Sequence, residues 1–139
     1  MTLTAAFNID FPGNAAEAFA FYESIFGGRL DITRYGDLEL SGMPFDPPAD
    51  AVAHAQLTTE GFSLCGGDSM ADTPPVLESD VYSFMLAPES VEAARDLIER
   101  LKAEGGAVVM PFEKAPWGDF YGQVRDRFGV LWHLNVPAE

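Results

Sequence analysis

Apolar and polar residues alternate from Thr4 to Phe11. Ala5, Phe7, Ile9 and Phe11 fall on one side, and Ala6, Asn8 and Asp10 on the other. A period of two marks a half-buried strand. Pro12-Gly13 stops it, and the period changes to three and four. Ala15, Ala18, Phe19, Tyr22, Ile25 and Phe26 then form one stripe, which predicts a helix near 14–26. Asn14 and Glu17 stand at its start as a capping-box-like pair, and Gly27-Gly28 supplies its end. Strands are predicted over 29–35, 51–59 and 62–65, with Glu60-Gly61 as the turn between the last two. The proline-bearing stretch 36–50 is a loop. Gly66-Gly67 is expected to open a second loop, which runs through Asp72-Thr-Pro-Pro75 toward Asp80 and links two halves of the chain. Such loops serve as connectors or as lids.

The helix, double glycine and strand recur after about 75 residues, a spacing too long for a solenoid. A strand is predicted over 81–87, followed by a helix near 90–104 capped by Ser90. That helix buries Val91, Ala94, Leu97, Ile98 and Leu101, while Glu92, Arg95, Asp96, Glu99, Arg100 and Lys102 form a solvated outer face. Gly105-Gly106 ends it. Strands follow over 107–112, 120–125 and 130–136, with Asp126-Arg-Phe-Gly129 as the hairpin between the last two. The expected fold class is α+β, with two βαβββ modules, the first about 1–70 and the second about 80–137, in a single domain over 1–139.

Composition narrows the function classes. The 139 residues carry 22 acids against 8 bases, a net charge of −14. Nucleic-acid binding is disfavoured, because phosphate neutralisation needs clustered Lys and Arg. The same field attracts cations, although a soluble acidic surface also accounts for it. Hydrophobic residues make up 47%, enough for a sizeable core. Cys65 is the only cysteine, so no intrachain disulfide forms. The opening Met1-Thr-Leu-Thr-Ala-Ala-Phe7 lacks the pattern of a signal peptide, and no apolar run approaches the roughly 18 residues of a membrane span. A cytoplasmic protein with no membrane association is expected.

Phe21-Tyr22 and the Gly27-Gly28 helix end resemble the first half of the vicinal oxygen chelate superfamily, which contains glyoxalase I, bleomycin-resistance proteins and extradiol dioxygenases. Trp117-Gly118-Asp119-Phe-Tyr121-Gly122 followed by Asp126-Arg-Phe128-Gly129-Val-Leu-Trp132 resembles its PhnB-like branch, some of whose members carry a demethylubiquinone methyltransferase-like description. The resemblance implies paired βαβββ modules around a cleft, in a homodimer. It also implies a divalent metal held by His and Glu residues from four strands. His133, four residues after Gly129, matches the last of those positions. The other three fall on Phe7 or Asn8, on Ser63 to Cys65, and on Tyr82 or Ser83. None of these supplies the usual imidazole or carboxylate, and catalytic metal sites generally need three protein ligands. Cys65 and His54 qualify by residue type, at positions the family does not use.

His133 therefore has three readings: metal ligand, polar contact in the cleft, or structural histidine. Alternation places Leu131, His133 and Asn135 on one face of the last strand, and Val130, Trp132, Leu134 and Val136 on the other. His54 shares a face with Val52 and Gln56 and either lines a groove or is a satisfied half-buried residue. Trp117 and Tyr121 stack on a planar ligand or shape the hairpin. Arg125 meets an anion or pairs with an acid. Cys65 lacks a nucleophile signature, and no glycine-rich turn is suited to phosphate or to S-adenosylmethionine. The expected function is a small-molecule-binding dimer without a metal or other cofactor, contacting its ligand through His133, His54, Asn8, Trp117 and Tyr121. The alternative is a metal-dependent lyase, isomerase or transferase of the glyoxalase type.

Overall fold

The computed structural model describes residues 2–138 except 40, 43 and 45, so part of the predicted 36–50 loop lies outside the described residues. The chain divides into two compact units, Met1–Pro75 and Val76–Glu139. Each runs strand, helix, then three strands.

In the first unit the elements are β1 (Phe7–Phe11), α1 (Ala15–Phe26), β2 (Arg29–Arg34), β3 (Val52–Thr58) and β4 (Ser63–Asp68). The sheet order is β1-β4-β3-β2. The second unit repeats it as β5 (Phe84–Leu86), α2 (Val91–Leu101), β6 (Ala107–Lys114), β7 (Phe120–Arg125) and β8 (Leu131–Val136), in the order β5-β8-β7-β6. In both units the strand before the helix pairs in parallel with the last strand, and the remaining pairs are antiparallel. The α+β fold of two βαβββ modules is thus the observed architecture.

Each helix covers one face of its own sheet. In α1 the stripe Ala15, Ala18, Phe19 and Tyr22 is buried, and Phe19 meets the Phe11 ring edge-on at 5.7 Å between centroids. In α2 the buried residues are Ala94, Ile98 and Leu101, packed over β7 and β8. The opposing core residues are Val124, Trp132 and Leu134. Complete burial of such side chains contributes about 1.5–3 kcal/mol each.

The first strand begins at Phe7 and not at Thr4, and three other local expectations change. Gly66-Gly67 lies inside β4, where Ile9 pairs with Gly66 and Asp10 with Gly67. A Cβ at Gly66 would stand 2.3 Å from the Ile9 carbonyl oxygen and 3.2 Å from the Phe19 ring. The double glycine therefore permits close strand and helix packing, not a turn. The strand expected over 81–87 contracts to Phe84–Leu86. Just before it, Asp80 binds Arg125 at 2.7 Å, the Ser79 carbonyl accepts from the same guanidinium, and Val81 N–H donates to Ser79 Oγ. Those bonds hold the segment off the strand path. Lastly, Asn14 does not cap α1 through its side chain. The Ala15 N–H donates instead to Asp68 Oδ1 at 2.9 Å, from the far end of β4, and Asp68 Oδ2 accepts from Val52 N–H at 2.9 Å. Ser90 caps α2 as expected, accepting from Ala93 N–H at 3.0 Å.

Candidate ligand face of the second unit

The hairpin between β7 and β8 sets the geometry. Asp126 is 3% exposed, although it is a carboxylate. Its Oδ1 accepts from Phe128 N–H and Val130 N–H, and its Oδ2 accepts from the indole of Trp132 at 2.9 Å. Gly129 completes the turn with φ of 100°. A buried acceptor with three donors is satisfied, so the turn and the register it starts are both fixed. Arg125 then faces Leu131, Gln123 faces His133, and Tyr121 faces Asn135.

Alternation sends Trp132, Leu134 and Val124 under α2. It leaves His133, Asn135, Gln123 and Tyr121 on the helix-free face, all half-buried. Met85 of β5 pairs with His133 and is 64% exposed. Gly122 lets β6 approach, since a Cβ there would meet Phe112 Cα at 2.6 Å.

On this face the Tyr121 hydroxyl and His133 Nδ1 form a short hydrogen bond, and the Gln123 amide nitrogen donates to the same hydroxyl at 2.9 Å. The Tyr121 and His133 rings meet edge-on. Burial lowers the His133 pKa below its ordinary value, so the imidazole is neutral at pH 7. Trp117 stands beside Tyr121, with ring centroids 6.0 Å apart, and is 66% exposed. Its loop is tied down. Ala115 N–H donates to Asp119 O, Gly118 N–H to Ala115 O, and the Asp119 carboxylate accepts from Ala138 N–H and from the Asn135 amide. Arg125 is committed to Asp80, to Gly129 O and, at 3.9 Å, to Glu78. Of its two expected roles, the observed one is pairing with acids.

The structure thus gathers His133, Tyr121 and Trp117. Asn8 and His54 belong to the first unit, on the helix-free face of its sheet, and both are exposed. Asn8 pairs in register with Cys65, and Cys65 with Gln56, while His54 pairs with Thr33. Gln123 and Asp126 were not singled out as site residues by sequence reasoning. The signal for Gln123 was countable: a turn over 126–129 forces position 123 opposite 133.

Metal-binding capacity follows from donor chemistry. Next to His133 stand the Tyr121 phenol, the Gln123 and Asn135 amides and the Met85 thioether, while Glu113 opposite Tyr121 and Asp119 bonded to Asn135 bring carboxylates to the same face one position further off. Among the described residues no group of three or more His, Cys, Asp or Glu side chains is placed to hold a metal ion. Nor is any helix among them long and apolar enough to cross a membrane.

Comparison with known proteins agrees with this architecture. The family model described as the glyoxalase/bleomycin resistance protein/dioxygenase superfamily matches residues 11–134. Protein YjdN of Escherichia coli K12 is 27% identical over 142 residues, covering 94% of this chain and 93% of its own. The crystal structure of PA1353 from Pseudomonas aeruginosa superposes with a TM-score of 0.83 at 31% identity, over 99% of this chain and 100% of that one. A PhnB protein from Bacillus cereus shares the fold, with a TM-score of 0.75 at 24% identity over 96% and 99% of the two chains. The chain belongs to the glyoxalase/bleomycin resistance protein/dioxygenase superfamily.

Proposed function

We propose that this chain is a small-molecule-binding member of its superfamily that works without a bound divalent ion and pairs as a homodimer. The observation that carries the reading is the face formed by Trp117, Tyr121 and His133. An exposed indole on a braced loop adjoins a phenol and a neutral imidazole already engaged with each other. Aromatic side chains held rigidly bind planar ligands at little entropic cost. His133 also spends one ring nitrogen on Tyr121, and its two cross-strand neighbours, Gln123 and Met85, bring no carboxylate, which supports the metal-free reading. Dimerisation is supported by the exposed apolar run Val108, Val109 and Met110 on the edge strand β6.

The second reading is a metal-dependent lyase, isomerase or transferase, favoured by the single imidazole on the final strand. The two separate in a binding experiment. Titrating planar aromatic compounds while following the quenching of Trp117 fluorescence, in the intact protein and in Trp117→Phe, tests the first reading. Saturable quenching that disappears in the variant supports it, and a flat response across the series in metal-free buffer contradicts it. Light scattering is expected to give a dimer at micromolar concentration; a monomer at high micromolar concentration removes that part.

A further inference from the structure

We infer that Tyr121 and Gln123 hold His133 in the tautomer whose Nε2 carries the proton, so that the face presents an N–H donor to an uncharged planar ligand bearing a hydrogen-bond acceptor such as a ring carbonyl. This rests on the small-molecule reading above and names the ligand class.

The Tyr121 oxygen has one proton of its own and accepts another from the Gln123 amide. Its remaining partner among the described residues is His133 Nδ1. If Nδ1 carried the imidazole proton, the phenol oxygen would accept twice and its own proton would have no partner on this face. A chain running Gln123 N–H to Tyr121 O–H to His133 Nδ1 uses every donor once, and hydrogen bonds in such a chain strengthen one another. It leaves Nδ1 as an acceptor and puts the proton on Nε2. Nε2 has no hydrogen-bond partner among the described residues and is not sealed from solvent. It is therefore a free donor, oriented by its neighbours, at the edge of the Trp117 and Tyr121 surface.

The surroundings choose the ligand's charge. The cation on this face, Arg125, is neutralised by Asp80 and Glu78. The chain carries a net charge of −14, so a phosphate or carboxylate gains nothing here. A cation would meet an N–H donor instead of a lone pair. An uncharged acceptor on a flat ring satisfies both the donor and the indole. Tyr121 and Gln123 are positioning residues in this scheme, acting through His133.

Long-range 1H–15N correlation on protein with 15N-labelled histidines reads the tautomer directly. Above pH 7 the wild type is expected to show His133 with a protonated Nε2 and a pyridine-type Nδ1. Tyr121→Phe is expected to admit the other tautomer, and Gln123→Ala to do so to a lesser degree. Coumarin, a flat neutral lactone, and naphthalene, a flat ring without an acceptor, serve as probes. Both should move the Trp117 indole signal, and only coumarin should move the His133 ring nitrogens. Tyr121→Phe, which keeps the ring, should weaken coumarin binding about fivefold more than naphthalene binding, the worth of one hydrogen bond near 1 kcal/mol. A protonated Nδ1 in the wild type, an unchanged tautomer in Tyr121→Phe, or equal responses of His133 to both probes would each overturn the inference. If neither probe moves Trp117, the underlying small-molecule reading falls, and the inferred ligand class falls with it.

Discussion

The two units share one element order and one strand order, yet they spend their polar side chains differently. In the first, the helix-free face carries Asn8, His54, Cys65 and Gln56, of which Gln56 makes a side-chain bond at 3.3 Å, to Thr58 two residues along its own strand. In the second, the equivalent face carries a connected chain from Gln123 through Tyr121 to His133, flanked by a braced tryptophan. In each unit a carboxylate also acts as a node between two backbone N–H groups. Asp68 joins the start of α1 to the start of β3, and Asp126 closes the last hairpin. The nodes build the scaffold in both units, whereas the preorganised polar chain occurs in the second. Preorganisation of that kind is what a binding site requires and a fold does not.

Removing the nodes should hurt most, and unequally. Asp126→Ala removes the acceptor of the Phe128 and Val130 N–H groups and of the buried Trp132 indole, so a loss on the order of 4 kcal/mol is expected in urea unfolding. Asp68→Ala gives up two backbone bonds at a half-buried site, for about 2 kcal/mol. Equal losses would break the comparison. Close packing comes next. Gly66→Ala and Gly122→Ala each drive a Cβ against backbone, at Ile9 and Phe112, and about 1–3 kcal/mol should be lost in both units alike.

Helix capping sharpens the contrast at smaller scale. Ser90→Ala should cost about 1 kcal/mol, because its hydroxyl caps α2. Asn14→Ala should change stability by less than about 0.5 kcal/mol, because the side chain makes no capping bond and its Oδ1 is buried without a partner among the described residues. Thermal melts of the two variants side by side decide it.

That pair also shows what was legible in the sequence. Local signals were readable: both helices, the centres of their buried stripes, the Ser90 cap and the Asp126–Gly129 turn all follow from neighbours within a few residues, while Ile25, Phe26, Val91 and Leu97 at the stripes' margins are half-buried. Long-range substitutions were not. Nothing near Asn14 announces that Asp68, 53 residues beyond Ala15, takes its place. Gly66-Gly67 reads as a loop until β1 is laid against it, because its reason is the Ile9 carbonyl. The β5 strand shortened for the same kind of cause, an ion pair to Arg125 across the sheet. Of the site, His133, Tyr121 and Trp117 stood out by residue type and motif. The part played by Gln123 emerged with the cross-strand register.

A smaller effect tests the environment of His133. Its pKa is lowered in the folded state by burial, so between that value and the ordinary one near 6.5 the unfolded chain binds more protons than the folded chain. The stability concerned is fully present above about pH 6.5 and is lost as pH falls through this window. Urea midpoints at pH 7.5 and 5.5 should therefore drop further in the wild type than in His133→Gln, and parallel drops would show that His133 is not desolvated.

On the function proposed above, the second unit's polar chain serves a small uncharged ligand and not a metal ion. Metal analysis of protein purified without added metal or chelator, followed by zinc titration of the wild type and His133→Ala, tests it most directly. Substoichiometric metal is expected in both proteins, with weak zinc binding that the substitution leaves unchanged. Near-stoichiometric zinc, nickel or manganese in the wild type, lost in His133→Ala, would contradict it and make His133 a metal ligand.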